Sequence, residues 1–256
     1  MSGARALARR DVRALVSSGT PWAAAAAFLA LSGLLFWVEA SNFATLSRVS
    51  AADPQLLAAL NTTQGVVQPT IANLALVAAF VLPFLTMRLL AEERRSGGLE
   101  MLRTLALDDW GIVAGKYVAV IVVGAGMLAL SLAQVLALWL AAPLVWSQIA
   151  AGYLGLMLLF SAMLAIGLAI SALSPSQAVA ASLTLALFVG LVVLDNWIGP
   201  APHGFAATVA DWSPITRLDP FSRGLIRLDS VAYYLFIDLV ALTIAWIAVH
   251  EERRIG

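Results

Sequence analysis

The chain has 256 residues, no net formal charge and a very apolar composition, with 61% hydrophobic and 12% charged residues. Soluble domains are about 25% charged, so a water-soluble domain is a poor explanation. The chain has no cysteine and two histidines, which excludes disulfides, thiol chemistry and cysteine-based metal sites and disfavours a histidine-rich one. No basic block is large enough to follow a phosphate backbone, so we expect no nucleic-acid partner.

Six stretches are long and apolar enough to cross a membrane, because a bilayer core about 30 Å thick needs roughly 20 apolar residues in a helix. The predicted spans are residues 21–38, 71–91, 112–140, 149–173, 178–198 and 231–249. Arg88 and Lys116 lie near the ends of the second and third spans, where long side chains can extend toward water. The predicted fold is therefore a single all-α membrane domain over residues 1–256, in contact with lipid on its outside.

The positions of the basic residues predict an orientation. Eleven of the fifteen Lys and Arg residues lie before the first span, around the loop between the second and third spans, or after the last span. Loops rich in Lys and Arg stay in the cytoplasm, so we expect both termini to be cytoplasmic. The even number of spans agrees with this, because it places the two termini on the same side of the membrane. Fourteen of the fifteen are Arg, which is typical of a GC-rich bacterial genome and predicts the bacterial cytoplasmic (inner) membrane.

The N-terminal residues before the first span predict an amphipathic helix. In residues 4–16, Arg5, Arg9 and Arg13 are spaced by four, which places them on one face of a helix lying in the membrane interface. A secretory signal peptide cleaved after Ala40 is the competing interpretation. The charged region, about twenty residues long, is longer than signal peptides usually have, so we favour the interfacial helix.

The segment between the second and third spans has the densest charge on the chain. Charged residues 92–95 end the second helix at the water boundary, and Gly97 with Gly98 interrupt it, because glycine adopts backbone conformations that other residues avoid. A short amphipathic helix can follow, with leucines on one face and charges on the other. Its residues are Leu99, Leu102 and Leu105 against Glu100 and Arg103. A plain charged connector fits the same residues.

Two blocks of sequence resemble a known family. The first is similar to the corresponding loop of ABC-2 type transporter permeases, and its matching residues are Glu92, Glu93, Arg94, Gly97, Leu99, Glu100, Leu102, Trp110, Val113, Gly115 and Lys116. The second resembles the last third of gliding-motility and nitrous-oxide-maturation type permeases, and comprises Ser213–Pro214, Asp219–Phe221, Arg223–Gly224 and Asp229–Leu235. Gly98 and Ala106 stand where the family usually has Thr and Pro, so the ends of the short helix are less sharply marked.

The resemblance implies a permease subunit of an ATP-driven exporter. Two such subunits, identical or related, would pair with two cytoplasmic ATPase subunits, and an auxiliary subunit could join on the outer side. The short helix would be a coupling helix that docks on the ATPase. Its coupling residues would be Glu92, Glu93, Arg94, Gly97, Leu99, Glu100, Leu102, Arg103 and Leu105.

Catalysis is not expected from this chain. The nearest string to a phosphate-binding loop, Gly111–Tyr117, is one residue short and ends in Tyr rather than Ser or Thr. We therefore expect no enzyme activity and no cofactor in this chain, with ATP and Mg bound by the partner ATPase. An intramembrane enzyme would need convergent polar residues in the spans, and the sequence shows no such set.

Asp238 and Gln134 are the polar residues singled out within the spans. An ionisable group at mid-depth, such as Asp238, costs on the order of 2.5 kcal/mol and is a candidate functional residue. It could line a cavity or respond to protons, as in a secondary transporter, or it could join two helices by a hydrogen bond, which we favour. Gln134 is expected to join helices in the same way. A further alternative is a module that transmits force or signal without transport.

Overall fold

The computed structural model describes residues 10, 12–15, 17–50, 61–92, 109–198 and 212–255. Within these ranges the chain is helical, without a β-strand. The six long helices are α1 (Gly19–Ser50), α2 (Gln68–Thr86), α3 (Asp109–Trp139), α4 (Trp146–Leu173), α5 (Gln177–Ile198) and α6 (Leu228–Ile255). Each is long and apolar enough to cross a membrane, which confirms the predicted all-α fold with six spans.

Helix α4 is the centre of the bundle. It packs against α2, α3, α5 and α6, and 67% of its membrane-spanning window is buried inside the protein, compared with 17% for α1 and for α5. A small residue allows the close approach of α2 to α4, because a Cβ atom added at Gly167 would lie 2.7 Å from the Cβ of Thr86. The apolar surfaces of the peripheral helices are therefore left to face lipid.

The helices alternate in direction, so the bundle has two ends. One end, called here the termini face, contains the first residues of α1, α3 and α5 and the last residues of α2, α4 and α6. The other end, called here the opposite face, contains the remaining helix ends and the segment that precedes α6. Residues 93–108, called here the coupling segment because they are predicted to form the coupling helix, connect α2 to α3 at the termini face and lie outside the described residues. Most of the predicted N-terminal helix, residues 4–16, also lies outside them.

Residues 213–224, called here the docked segment, fold against α4 at the opposite face. The segment contains a 3-10 turn (Thr216–Leu218) and a short helix (Asp219–Ser222). Phe221 is fully buried because Gly155 leaves room for it: a Cβ atom at Gly155 would lie 2.6 Å from the Cβ of Phe221. The turn that leaves the segment needs glycine, because Gly224 has a φ of 87°.

Helix α1 is longer than its apolar stretch. Hydropathy predicts a span ending at residue 38, but the helix continues to Ser50. The extension packs on α2 and on the turn before it, since Glu39 accepts a hydrogen bond of 3.2 Å from Asn73 of α2 and Gly65 in the preceding turn accommodates the ring of Phe43. Apolar sequence therefore marks the bilayer crossing, while tertiary contacts determine where the helix ends.

Candidate functional site

The end of α2 is held by a single serine of α4. The α-helix ends at Thr86 rather than at the predicted residue 91, and residues 87–90 form a turn. The backbone N–H groups of Leu90 and Ala91 both donate to Oγ of Ser171, each at 3.2 Å, and Ser171 donates to the carbonyl of Met87 at 3.2 Å. The hydroxyl therefore replaces helix hydrogen bonds that the turn has broken.

Arg88 forms an ion pair with Glu92, which is the last described residue before the coupling segment. Its guanidinium donates to both carboxylate oxygens of Glu92, at 2.8 and 3.1 Å, and to Oγ1 of Thr20 at 2.7 Å. The hydrogen bond from Arg88 is the main cause that lowers the pKa of Glu92, and Gln177 and the charge of Lys116 act in the same direction against the opposing effect of burial. The carboxylate is therefore held ionised between α1, α2, α3 and α5.

His250 of α6 contacts Asp109, which is the first described residue after the coupling segment. Asp109, in the first turn of α3, is 2% exposed. Its Oδ2 atom lies 2.9 Å from Nδ1 of His250, and the imidazole stacks on Trp246 with ring centroids 5.3 Å apart. An acidic residue in the first turn also complements the helix dipole. The start of α3 is therefore attached to the end of α6.

Of the nine predicted coupling residues, one lies within the part of the chain that the structure describes. Glu92 is described and participates in the contacts above. The other eight lie outside the described residues and are Glu93, Arg94, Gly97, Leu99, Glu100, Leu102, Arg103 and Leu105. The structure nevertheless fixes both flanks of their segment, one through Glu92 and Ser171 and the other through Asp109. Movement of residues 93–108 would consequently act on α1, α4 and α6 through their contacts with those flanks.

The two polar residues predicted within the spans each contact a neighbouring helix. Ser161 of α4 donates to Oδ2 of Asp238 at 2.9 Å, and Tyr117 of α3 faces the same pair. Gln134 donates to Ser32 of α1 at 2.9 Å. Both contacts fit the helix-joining interpretation. Oδ1 of Asp238 is buried and has no hydrogen-bond partner among the described atoms.

The opposite face is held by a second network. The hydroxyl of Tyr234 in α6 donates to the carbonyl of Pro214 at 2.6 Å, and Gln148 in α4 donates to the carbonyl of Ser222 at 2.9 Å. Tyr234 and Pro214 both belong to the second sequence block that resembles the permease family. The two contacts attach the docked segment to α4 and α6, so this block has a structural role at the face away from the coupling segment.

Sequence analysis missed Ser171, Thr20 and His250. Serine in an apolar helix usually bonds to its own backbone, so nothing local distinguishes Ser171 from Ser161. His250 was considered only as a metal ligand, whereas the structure pairs it with a carboxylate 141 residues away. Lys116 was expected to reach toward water but is 4% exposed. Among the described residues no three His, Asp or Glu side chains are grouped to hold a metal ion.

Comparison with known proteins identifies the family. The family model described as ABC-2 family transporter protein matches residues 5–249, which is nearly the whole chain. The search of curated proteins finds no match. The family match covers all six long helices up to residue 249 as well as both flanks of the coupling segment. The chain therefore belongs to the ABC-2 transporter family and is a multi-pass membrane permease component of an ABC system.

Proposed function

We propose that the chain is the permease subunit of an ATP-driven exporter and that residues 93–108 contact a separate cytoplasmic ATPase subunit. The observation that supports this most directly is the attachment of both flanks of that segment to other helices. A connector that only joined two spans would not need its ends held by Ser171 of α4 and His250 of α6.

The mechanism follows from those attachments. ATP-driven closure of a pair of ATPase subunits would push the segment, and rigid helices would transmit the displacement because packed interiors are not easily compressed. The force would reach α4 through Ser171, α1 through the bond from Arg88 to Thr20, and α6 through His250. Helix α4 packs on four other helices, so its movement would rearrange most of the bundle.

The assembly requires more than this chain. Two permease subunits, identical or related, would pair with two ATPase subunits that bind ATP and Mg. The termini face would lie in the cytoplasm of a bacterium, the chain in its inner membrane, and substrate would leave outward between the two bundles. The block at residues 213–235 resembles gliding-motility and nitrous-oxide-maturation permeases, so a relationship to that subtype is part of the proposal, as is an auxiliary subunit at the opposite face.

The experiment is a co-purification from the native membrane with an affinity tag on this chain, followed by an ATPase assay. We expect a subunit with a phosphate-binding loop to be recovered, and we expect Glu93→Ala/Glu100→Ala to lose it or to lose its stimulation. The matched control is Glu251→Ala/Glu252→Ala, because residues 251–254 repeat the Glu-Glu-Arg-Arg of residues 92–95 at the end of α6. Failure to recover an ATPase in mild detergent, or equal loss in both variants, would overturn the proposal.

A further inference from the structure

Asp238 lies near mid-depth of the membrane-spanning part of α6. That part is Leu228–Glu251, so Asp238 is within two residues of its middle, at most about 3 Å along the axis at 1.5 Å per residue. The bilayer core supplies no water to solvate a charge at this depth, and an ionisable group there is a candidate functional residue. The state of the carboxyl group therefore depends on the side chains that contact it.

The side chains that contact this carboxyl group come from two neighbouring helices and are neutral. Ser161 of α4 lies 2.9 Å from Oδ2, and the phenol of Tyr117 of α3 bonds to the same group. Lys116 precedes Tyr117 on α3, and its charge acts on Glu92. In the part of the chain that the structure describes, Asp238 therefore has no ion pair.

The second carboxyl oxygen of Asp238 has no polar contact. Oδ1 is buried and, among the described atoms, has no hydrogen-bond partner. An ionised carboxylate would spread its negative charge over both oxygens, so part of that charge would lie on an atom with nothing to stabilise it. An isolated carboxylate in an apolar interior becomes neutral by taking up a proton. The burial of Oδ1 therefore favours the carboxylic acid over the carboxylate.

Ser161 has one hydroxyl hydrogen and two acceptors within hydrogen-bond distance. Its Oγ atom lies 2.8 Å from the carbonyl oxygen of Leu158, in the preceding turn of α4, and 2.9 Å from Oδ2 of Asp238. A carbonyl oxygen and an ionised carboxylate both only accept hydrogen bonds, so with an ionised Asp238 one hydrogen would have to serve both contacts. A protonated Asp238 supplies a second hydrogen from Oδ2. Each of the two short contacts is then a complete hydrogen bond.

Asp229, at the exposed start of the same helix, has the surroundings of an ionised acid. Its carboxylate accepts hydrogen bonds from Arg217 and from Arg227, with Oδ2 2.9 Å from a guanidinium nitrogen of each. The two acids of α6 therefore differ in their partners: Asp229 has two cations, and Asp238 has two hydroxyl groups.

We propose that Asp238 binds a proton in the folded bundle at neutral pH, at a site formed by α3, α4 and α6. Oδ2 of the neutral acid donates to Ser161, which donates in turn to the carbonyl of Leu158. The ligand is a proton rather than a metal cation, because a hard cation needs a larger set of oxygen atoms than one carboxyl group and two hydroxyl groups. The inference goes beyond the proposed function and does not depend on it, since it uses only contacts between these three helices.

The first measurement is the infrared spectrum of the full chain, reconstituted in lipid vesicles at neutral pH. A neutral carboxylic acid has a carbonyl stretching band at higher frequency than the backbone amide band, and an ionised carboxylate lacks it. We expect Asp238→Asn to lose one acid band, and the matched control Asp229→Asn to keep it. If every acid band of the unmodified chain survives in Asp238→Asn, then Asp238 is ionised and the proposal is overturned.

The contact with Ser161 has a signature of its own. In Ser161→Ala the acid loses the oxygen to which Oδ2 donates, so we expect its band to remain and to move to higher frequency. Ser182→Ala, on the exposed side of α5, should leave the band where it is. An unmoved band in Ser161→Ala would contradict the donation from Asp238 to Ser161.

A chemical measurement on the unmodified chain avoids any folding defect of the variants. Dicyclohexylcarbodiimide is apolar and enters membranes. A protonated carboxylic acid adds across one of its C=N bonds, the proton of the acid passes to nitrogen, and the adduct rearranges to a stable N-acylurea. Asp229 and Asp238 lie in one tryptic peptide, residues 228–253, which provides an internal control. After treatment of native membranes at neutral pH, we expect fragment masses to place the adduct on Asp238, whereas adducts on Asp229 with none on Asp238 would refute the proton site.

Discussion

At the residue scale, Ser171 shows how one hydroxyl can define where a helix ends. Leu90 and Ala91 are 2% and 0% exposed, so water does not reach their N–H groups in the folded chain. A buried N–H group without a partner costs about 1–3 kcal/mol. Ser171 supplies an acceptor for both groups and also donates to Met87, so a single side chain satisfies the turn that leads into the coupling segment.

We predict that Ser171→Ala destabilises the chain by about 1–3 kcal/mol, because it leaves two buried N–H groups without an acceptor. The measurement is the free energy of unfolding in mild detergent, with the thermal midpoint as a second readout. Ser47→Ala is the control, since among the described residues the hydroxyl of Ser47 bonds to the carbonyl of Phe43 within its own helix. Equal stability of the two variants would show that the turn finds another acceptor.

At the scale of single residues, the sequence shows which charged residues are candidates for function more easily than it shows which side chains contact one another. Glu92 was predicted as a functional residue from its place in a charged segment, and the structure gives it partners on two other elements. Ser171 could not have been found in this way, because its role depends on the packing of α4 against α2. Asp109 is an acidic residue in the first turn of α3, a position that the sequence makes visible, but its contact with His250 joins residues that are far apart in sequence.

At the element scale, small residues determine which helices and segments can approach each other. Gly155 faces the side chains of Leu218 and Phe221 in the docked segment, and Gly167 faces Thr86 at the end of α2. Hydropathy predicted the bilayer crossings because apolar length alone decides them. It could not predict the extension of α1 to Ser50 or the docking of residues 213–224, since both depend on contacts between segments distant in sequence.

We predict that Gly155→Ala weakens docking and destabilises the chain by about 1–3 kcal/mol, the usual cost of forcing an extra group into a packed site. The added methyl group would lie 2.6 Å from the Cβ of Phe221, so the segment must move away. Limited trypsin digestion should then cleave faster after Arg217 and Arg223. Gly190→Ala is the control, because a methyl group there meets nothing within 4 Å. Unchanged cleavage in Gly155→Ala would mean that α4 shifts instead of the segment.

At the scale of the whole molecule, the burial of the six helices defines an inside and a lipid-facing outside. Helices α2 and α4 have 61% and 67% of their membrane-spanning windows buried, whereas α1, α5 and α6 have 17%, 17% and 22%. The two buried helices are also those joined by Ser171 and Gly167. The flank of the coupling segment that follows α2 is therefore attached to the most buried part of the bundle, so the displacement proposed above would act directly on closely packed helices.

The orientation of the bundle leads to the last prediction, that the termini face lies in the cytoplasm. Because the chain has no cysteine, single-cysteine variants can be labelled without background. Ser147→Cys is at the exposed start of α4 on the opposite face, and Glu251→Cys is in the exposed last turns of α6 on the termini face. A membrane-impermeant maleimide should label Ser147→Cys in intact spheroplasts and Glu251→Cys only after permeabilisation, with the unmodified chain unlabelled. The reverse pattern would place the coupling segment outside the cell, where no ATPase could drive it, and labelling of both variants in intact cells would contradict the spanning arrangement of α4 to α6.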